Sequence, residues 1–572
     1  MSAQRIIKFL AVIVTSFWFA HAWSQEATPP SSSPLDDRRA SEVSDYVVAF
    51  NSYVVEIKTS QGREDVVTAA SVVLGDTVIV EPLFSDIDLN DDPEGLSKLY
   101  RVRVAGTRSS GAQWDAAYAI KKAGGFEQVE PDTATAIEDA RKRQAATASC
   151  LLDDGVPAPN EIAWSLVQMR VPEARELQPP PAGRKDGEGI RICHPDSGWT
   201  DHVDLDRSRI DTTASLNLIE GGSDARDPLN YSGHPGHGTG TGSVIISAGG
   251  FEANGGTTGP GQVNGLAPRA TLVPIRALKS VVHVFDSDIA KAVRHASKAK
   301  CDVISMSLGG AGFFGLKKAI REAVGRDIIV VSAAGNCAGF VVAPASYESV
   351  IAVAATNAAR KPWPGSSQGK AVDISAPGED IYVARTNSNA TSSDKVRTGS
   401  GTSFSTAAVA GAAANWLAFH GEDAIKQSQG GLTRQQLFML ALSNSADASP
   451  AGWDKRRMGA GILDLHKLLI QPLPNGGATF TVAPRYDHIT EIAQRLDLDR
   501  SLVEQGLRRI LGQPDNLEAT LIEFGAEIVD IASRNPASFR AAIQPPDPGA
   551  FSDSSKLLRD SGSTALKREL SQ

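Results

Sequence analysis

The sequence predicts an α/β fold in which helices cover both faces of a doubly wound, mostly parallel sheet. Between residues 161 and 470, short apolar runs rich in β-branched residues alternate with helical stretches. Continuous apolar runs, unlike alternating ones, indicate strands that are buried on both faces of a parallel sheet. The six runs are Ile190–Cys193, Thr271–Ile275, Asp302–Met306, Ile328–Ser332, Val350–Ala354 and Asp373–Ser375, and the clearest intervening helices are Asp288–Lys298 and Gly315–Val324.

The segments outside this sheet have different compositions. Residues 45–135 combine short strand patterns with one helix at Ala112–Ala123, which predicts a small α+β domain. Residues 136–160 form a polar connector that we expect proteases to reach. Residues 471–572 predict a small helical region (Ile489–Leu496, Ser501–Leu511, Leu517–Ala532) with a disordered tail.

The first residues predict export. Arg5 and Lys8 precede the apolar run Phe9–Ala20, and Ala20-His21-Ala22 supplies a cleavage site, so residues 1–22 are expected to be a signal peptide. The apolar run is too short to span a bilayer, and no transmembrane segment is predicted. Residues 23–44 are rich in Pro, Ser and charge and predict a linker. We therefore expect a secreted or periplasmic protein.

Length, charge and cysteine content limit the possible classes further. A chain of 572 residues needs several cores, and a net charge of −9 argues against nucleic-acid or general membrane-surface binding. The four cysteines contain no C-x-x-C pair, which disfavours a zinc ribbon. Export permits disulfides, but the three possible pairings stay open, as do buried thiols. The cysteines are Cys150, Cys193, Cys301 and Cys337.

Ser403 lies where a Gly-rich turn meets a run of small residues, in the segment Thr398–Gly411 (TGSGTSFSTAAVAG). Small side chains let a helix pack closely on a sheet, and a serine at its N-terminus lies beside unpaired N–H groups and the positive end of the dipole. Such a serine is either a helix N-cap or a nucleophile. Residues elsewhere in the chain favour the nucleophile.

Three polar residues in Gly-rich turns complete a possible catalytic set. Asp196 follows the first strand, His237 lies in a Gly-rich loop before an apolar helix, and Asn336 lies in the turn after the fourth strand. Alone, each is explained as a turn or solvated residue. Together they offer a proton acceptor, a carboxylate to orient it and an amide for an oxyanion, in the order Asp, His, Ser. His234 and His237 form H-x-x-H without the glutamate of metalloproteases, so no metal site is predicted.

From about residue 162 to 468 the chain resembles the subtilisin-like serine proteases, the subtilase family. The resemblance implies a serine endopeptidase that hydrolyses peptide bonds, with Asp196, His237 and Ser403 as the triad. The matching motifs are Asp-Ser-Gly (196–198), His-Gly-Thr (237–239), Gly-Leu-Ala-Pro with Leu-Val-Pro-Ile-Arg (265–276), Ile-Ser-Met-Ser-Leu-Gly-Gly (304–310), Ala-Ala-Gly-Asn (333–336), Ser-Gly-Thr-Ser (400–403) and Met-Gly-Ala-Gly-Ile-Leu-Asp (458–464).

The resemblance also implies an oxyanion hole, a substrate-pairing edge and an inhibitor. Asn336 would form the hole together with the Ser403 N–H. Residues 45–135 look like the family's inhibitory propeptide, with Val129–Asp132 as its last strand, so a zymogen is expected to cut itself between Asp132 and Asn160. The expected partners are polypeptide substrates and this propeptide, and the expected state is a monomer. The substrate-pairing edge would be Ser307, Leu308, Gly309 and Gly310.

Some residues depart from the family pattern. Ala407 and Ala408 stand where Pro and His are usual, and Phe404 replaces a common Met. The loop 249–261 lacks the carboxylates and amides of the family's strongest calcium loop, which leaves Asp204 as a lone remnant. No cofactor is required for the expected chemistry, and calcium is not predicted.

Two alternatives to a protease are weighed against the same residues. A catalytically dead subtilase fold retained for binding would lack a triad residue, and none is missing. A serine esterase would need a G-x-S-x-G motif, whereas Ser403 lies in Gly-Thr-Ser-Phe-Ser and follows the Asp and the His. Acid-active relatives with Glu in place of His are excluded by His237.

Overall fold

The computed structural model describes residues 50–75, 77–106, 108–132, 159–231, 234–249, 263–280, 286–310, 312–338, 340–386, 395–473, 488–512, 517–544 and 556–571. The predicted signal peptide (1–22), the linker (23–44), nearly all of the connector (136–160) and Cys150 lie outside these residues. Among the described helices, none is both long enough and apolar enough to cross a bilayer.

The N-terminal domain is a four-stranded antiparallel sheet, in the order β2-β3-β1-β4, with two helices on it. Tyr53 and Val55 pack against those helices, whereas Val54, on the opposite face, packs against the next domain. The first helix was not predicted from the sequence, although Val66, Ala69 and Ala70 supply its helical spacing. The elements are β1 (Phe50–Glu56), α1 (Arg63–Leu74), β2 (Ile79–Pro82), β3 (Leu99–Ala105), α2 (Ser110–Gly124) and β4 (Gln128–Pro131).

The predicted doubly wound parallel sheet is confirmed in the larger domain. Seven described strands run parallel in the order β11-β10-β9-β8-β5-β7-β6, and the six predicted runs coincide with all of them except β6. They are β5 (Arg191–Asp196), β6 (Leu216–Asn217), β7 (Thr271–Arg276), β8 (Val303–Met306), β9 (Ile329–Ala333), β10 (Ile351–Thr356) and β11 (Ile374–Pro377).

Helices cover both faces of this sheet because successive strand residues point to opposite sides. Ile192 and Val303 belong to the core that includes α5 and α8, whereas Cys193 and Ile304 belong to the core that includes α6 and α7. The helices are α3 (Trp164–Gln168), α4 (Val171–Glu176), α5 (His237–Ile246), α6 (Asp286–Lys298), α7 (Phe314–Gly325), α8 (Thr402–His420), α9 (Glu422–Ser428), α10 (Arg434–Ser445), α11 (Lys455–Met458) and α12 (Leu465–Ile470).

The sheet order places a switch point beside β5. From β5 the chain passes to β6 at one edge of the sheet and back to β7 beside β5, and then to β8, β9, β10 and β11 on the other side. Ligands bind doubly wound folds at such points, beyond the carboxyl ends of the strands. A hairpin of β12 (Ile381–Arg385) and β13 (Lys395–Gly399) leads into α8, which is buried along its whole length.

The adjacency of β5 and β8 also explains one disulfide. Cys193 on β5 is bonded to Cys301, which lies just before β8, across a Cα–Cα distance of 5.7 Å. Cys337 is disulfide-bonded as well, and no described cysteine is free.

The C-terminal region is helical, as predicted, and its helices form a bundle with its own apolar core. The predicted disordered tail is wrong for residues 556–571, because Leu558 and Leu566 are buried in that core and Ser563 caps the last helix. The helices are α13 (His488–Leu496), α14 (Arg500–Ile510), α15 (Leu517–Arg534), α16 (Pro536–Ile543), α17 (Lys556–Ser561) and α18 (Thr564–Glu569).

Candidate active site

Asp196 is the last residue of β5 and lies at the carboxyl edge of the sheet. Its side chain is 0% exposed, and its Oδ1 accepts a hydrogen bond of 2.6 Å from the Ser197 N–H. Burial alone would raise the pKa of Asp196, but His237, His194 and the Ser197 N–H outweigh it and hold the pKa below its ordinary value. Asp196 is therefore an ionised, buried acceptor.

His237 is the first residue of α5. The sequence predicts it in the loop just before this helix, so the helix begins slightly earlier than predicted. Its Nδ1 lies 2.8 Å from Oδ1 and 3.0 Å from Oδ2 of Asp196. The helix can approach this closely because residue 238 is glycine: a β-carbon there would lie 2.1 Å from the Gly198 carbonyl oxygen. Since an ionised carboxylate only accepts, Nδ1 carries the proton and Nε2 of the neutral ring carries the lone pair.

Ser403 lies in the first turn of α8, as predicted. Its hydroxyl donates to the Ser307 carbonyl oxygen at 3.4 Å, and the Ser307 hydroxyl donates to the Ser403 carbonyl oxygen at 2.9 Å. The next residue, Phe404, has its ring centroid 6.5 Å from that of His237. The start of α8 therefore adjoins both the His237 ring and the end of β8.

Asn336 also contacts the start of α8. Its Oδ1 accepts a hydrogen bond from the Thr402 N–H at 3.0 Å and from the Thr402 hydroxyl at 2.8 Å. Two donors on one oxygen fix the orientation of the amide, which leaves the NH₂ group free to donate elsewhere. The side chain is exposed, and its Nδ2 lies 3.3 Å from the position of a β-carbon on Gly401. The amide donor thus lies beside the Ser403 backbone.

The predicted substrate edge directly follows β8. Ser307 contacts Ser403 as described, and Leu308 is buried behind it. Gly310 already uses both backbone groups on Ala343, donating at 2.8 Å and accepting at 3.3 Å. Pairing with an extended ligand can therefore involve Ser307–Gly309 but not these groups of Gly310.

Two residues beneath Asp196 were missed by the sequence analysis. The Thr241 hydroxyl lies 3.2 Å from Oδ2 of Asp196, and the buried ring of His194 lies 2.9 Å behind that hydroxyl. His194 and Asp196 are two apart on one strand, and His237 and Thr241 are four apart on one helix, so each pair shares a face. These two spacings are the only signal in the sequence that could have predicted the contact. Burial lowers the pKa of His194.

A third missed residue, Asp227, positions the loop before His237. Its carboxylate accepts hydrogen bonds from the Ser197 and Tyr231 hydroxyls, both at 2.7 Å, and from the Gly236 N–H at 3.0 Å. The Ser197 hydroxyl in turn accepts from the Gly238 N–H at 3.1 Å. These bonds join the end of β5 to the start of α5.

The described residues contain no group of three or more His, Cys, Asp or Glu side chains that could hold a metal ion. His234 is exposed in the loop before α5. Asp204 is buried and accepts from the Val263 N–H at 3.1 Å, and burial raises its pKa. That the chain requires no cofactor stays a prediction, and calcium binding is neither predicted nor excluded by the sequence.

The family model described as "Subtilase family" matches residues 187–461. A solved structure of a protease from Pseudoalteromonas arctica has 24% identity, covers 55% of this chain and 99% of its own, and superposes with a TM-score of 0.44.

Two curated relatives match most of their own length. An intracellular serine protease of Paenibacillus polymyxa is 30% identical over 308 residues, 52% of this chain and 85% of the relative. Thermitase of Thermoactinomyces vulgaris is 31% identical over 285 residues, 48% of this chain and 88% of the relative. With the parallel sheet and the paired Asp196 and His237, these matches lead to one conclusion: the chain belongs to the subtilase family, the subtilisin-like serine proteases that hydrolyse peptide bonds.

Proposed function

We propose that this chain is an exported serine endopeptidase that uses Ser403, His237 and Asp196 as its triad and is made as a self-processed zymogen. The observation that carries the triad is the 2.8 Å contact between His237 Nδ1 and a fully buried Asp196, close to a serine at the N-terminus of α8. Export rests on the signal-peptide pattern in residues 1–22.

The chemistry follows from which atoms carry protons. With Nδ1–H donated to Asp196, Nε2 of His237 takes the Ser403 proton as Oγ attacks the substrate carbonyl carbon. Asp196 stabilises the resulting imidazolium, which then protonates the leaving amine as the C–N bond breaks. Water attacks the acyl-enzyme by the same route and releases Ser403.

The oxyanion formed in each attack needs donors that are fixed in advance. The Ser403 N–H lies in the first turn of α8, where N–H groups have no intrahelical acceptor, and Asn336 is oriented by its two bonds from Thr402. We expect Asn336→Ala to lower kcat by about 10²–10³-fold, since loss of one such donor has that effect. Steady-state kinetics with an unchanged melting temperature would test this.

A matched variant separates two roles of Asn336: donation from its NH₂ group to the oxyanion, and the fixing of its side chain by Thr402. Thr402→Val removes one of the two bonds to Oδ1 and leaves the Asn336 amide in place. We expect it to lower kcat much less than Asn336→Ala does. A loss below about threefold for Asn336→Ala, well under the range for such a donor, would exclude the amide from the mechanism.

The contacts of the N-terminal domain support its role as the inhibitory propeptide. Asp132 accepts hydrogen bonds from the Ser287 N–H at 3.2 Å and the Ser287 hydroxyl at 2.6 Å, in the first turn of α6. Glu130 accepts from the Phe314 N–H at 3.4 Å, at the start of α7. The Asp132 carboxylate is favoured at its helix N-terminus by the dipole, and both side chains accept from N–H groups that lack an intrahelical acceptor. The end of the domain is therefore held on the protease domain immediately before the connector.

Glu130 makes this attachment sensitive to pH. Its side chain is 7% exposed, and burial raises its pKa from 4.5 to about 7, although Lys317, the Phe314 N–H and Gln128 oppose the shift and Glu491 adds to it. A raised carboxyl pKa favours the protonated form in the docked state. Protonation of Glu130 therefore stabilises the docked state fully at pH values below its ordinary pKa of 4.5. This stabilisation is lost as the pH rises through its docked pKa of about 7.

We therefore expect the cleaved domain to dissociate at least about tenfold faster at pH 8 than at pH 5. The measurement uses full-length Ser403→Ala protein nicked in the connector by limited trypsin, whose targets Arg141, Lys142 and Arg143 lie there. Glu130→Gln should remove most of the pH dependence. An identical dependence with and without Glu130 would contradict this account.

Endopeptidase activity itself is tested with an unfolded protein substrate. The purified, processed chain should release internal peptides that mass spectrometry maps to cuts away from both substrate termini. A preparation that has been processed, has lost its N-terminal domain and still leaves such substrates intact would rule out the proposed activity.

A further inference from the structure

We infer that the C-terminal helical bundle is a second binding surface for the chain's own N-terminal domain and keeps that domain in place after the connector has been cut. This inference rests on the proposed zymogen function. It assigns the partner of a region to which the family match, residues 187–461, does not extend.

The bundle presents buried carboxylates to α2 of the N-terminal domain. Glu527 is 0% exposed and accepts a hydrogen bond from the Tyr118 hydroxyl at 2.8 Å. Asp530, one helical turn along α15, accepts from the Trp114 indole N–H at 3.0 Å and the Ser110 hydroxyl at 3.3 Å. Buried carboxylates are unfavourable without donors, so α15 depends on α2 for part of its hydrogen bonding.

Contacts in the opposite direction complete the interface. Asp115 on α2 accepts from the Thr564 and Ala565 N–H groups, both at 3.1 Å, at the start of α18. The Tyr118 ring meets the Phe524 ring edge-on, with centroids 5.4 Å apart. The backbones are also close, because a β-carbon on Gly111 would lie 3.0 Å from the Gly562 carbonyl oxygen.

The same bundle is fixed to the protease domain. Lys317 on α7 donates to Glu491 on α13 at 2.8 Å, with side chains 19% and 4% exposed, and Arg495 donates to the other oxygen of Glu491 at 2.7 Å. Lys370 donates to the Leu498 carbonyl oxygen at 3.3 Å. The bundle therefore bridges the two domains that the connector joins covalently.

This arrangement has a consequence for activation. Cutting the connector removes the covalent link between the domains. The hydrogen bonds of Asp132 and Glu130 at the starts of α6 and α7 remain, and so do the contacts with the bundle. The C-terminal region thus acts as part of the inhibitor, and at a given pH the N-terminal domain should leave faster once the bundle contacts are lost.

The test uses full-length Ser403→Ala protein nicked by trypsin in the connector, at one fixed pH, so that self-processing is not needed. Gel filtration and intact mass then follow loss of the N-terminal fragment with time. Trp114→Phe/Tyr118→Phe removes two of the three α2 donors to the bundle carboxylates and leaves only the 3.3 Å bond from Ser110, so we expect loss to be at least about tenfold faster. Tyr100→Phe, which removes a tyrosine hydroxyl from the same domain, should have no effect.

A steric variant guards against misfolding of the N-terminal domain. Gly111→Leu places a better helix former on α2 but crowds the Gly562 backbone, which its β-carbon would approach to 3.0 Å, so it should favour α2 and yet speed fragment loss by a similar factor. Equal loss rates in the parent, Gly111→Leu and Trp114→Phe/Tyr118→Phe proteins would overturn the inference. Failure of the wild type to cut itself would count against the proposed zymogen and leave this measurement unaffected.

Discussion

Replacing Ser403 with alanine is expected to lower kcat by about 10⁶-fold, because the variant lacks the atom that forms the acyl-enzyme. The remaining activity would come from substrate binding and oxyanion stabilisation alone. Since the side chain is 8% exposed and makes only a 3.4 Å bond to the Ser307 carbonyl oxygen, removing its hydroxyl should leave the fold intact. Initial rates on a peptide substrate, with melting temperatures for both proteins, measure the effect.

Ser405→Ala is the matched control for this variant. It removes a buried hydroxyl from the same turn of α8, one that donates to the Ala376 carbonyl oxygen at 2.9 Å. We expect a modest loss of stability and nearly unchanged kcat, since Ser405 bonds to the sheet. More than about 1% of wild-type activity in Ser403→Ala would be far above the level expected without the nucleophile and would contradict its role.

Asp196→Asn is expected to lower kcat by about 10⁴-fold at neutral pH. An asparagine amide can donate to Nδ1, which stabilises the ring tautomer with its proton on Nε2. That nitrogen could then no longer accept the Ser403 proton. The substituted side chain also loses the charge that stabilises the imidazolium, so the chemical step slows while substrate binding is largely retained.

Asp373→Asn is the control for replacing an aspartate by asparagine at a site away from His237. Asp373 is half-buried and accepts a hydrogen bond from the Ala352 N–H at 2.8 Å, and desolvation raises its pKa to about 7, so a neutral side chain is already tolerated there. We expect wild-type kcat for Asp373→Asn. A loss below about tenfold for Asp196→Asn, with the structure unchanged, would show that His237 is oriented without this carboxylate.

The sequence predicted most of the protease domain because its strands are continuous apolar runs that end at polar, Gly-rich turns. Asp196 ends a strand just before such a turn, whereas His237, Asn336 and Ser403 lie in or just after one, and the structure brings all four to one edge of the sheet. Residue type and chain order suggested their roles, but the 2.8 Å contact between Asp196 and His237 depends on α5 packing against β5.

Features that arise from packing between distant elements were not predictable. Thr241 and His194 meet only because one helix face lies on one strand face, and neither spacing is distinctive alone. The pairing of Cys193 with Cys301 required the order of β5 and β8. Likewise, the ordered end of the chain depends on burying Leu566 in a bundle whose partner helix α2 lies several hundred residues earlier.

Labelling with a fluorophosphonate, combined with the mass and N-terminal sequence of the product, tests the proposed triad and zymogen together. Wild-type protein should carry one label on Ser403 and begin between Asp132 and Asn160, whereas Ser403→Ala should be unlabelled and retain its N-terminal domain. A wild-type chain that hydrolyses protein while unlabelled at Ser403, or with its N-terminal domain still covalently attached, would contradict the account.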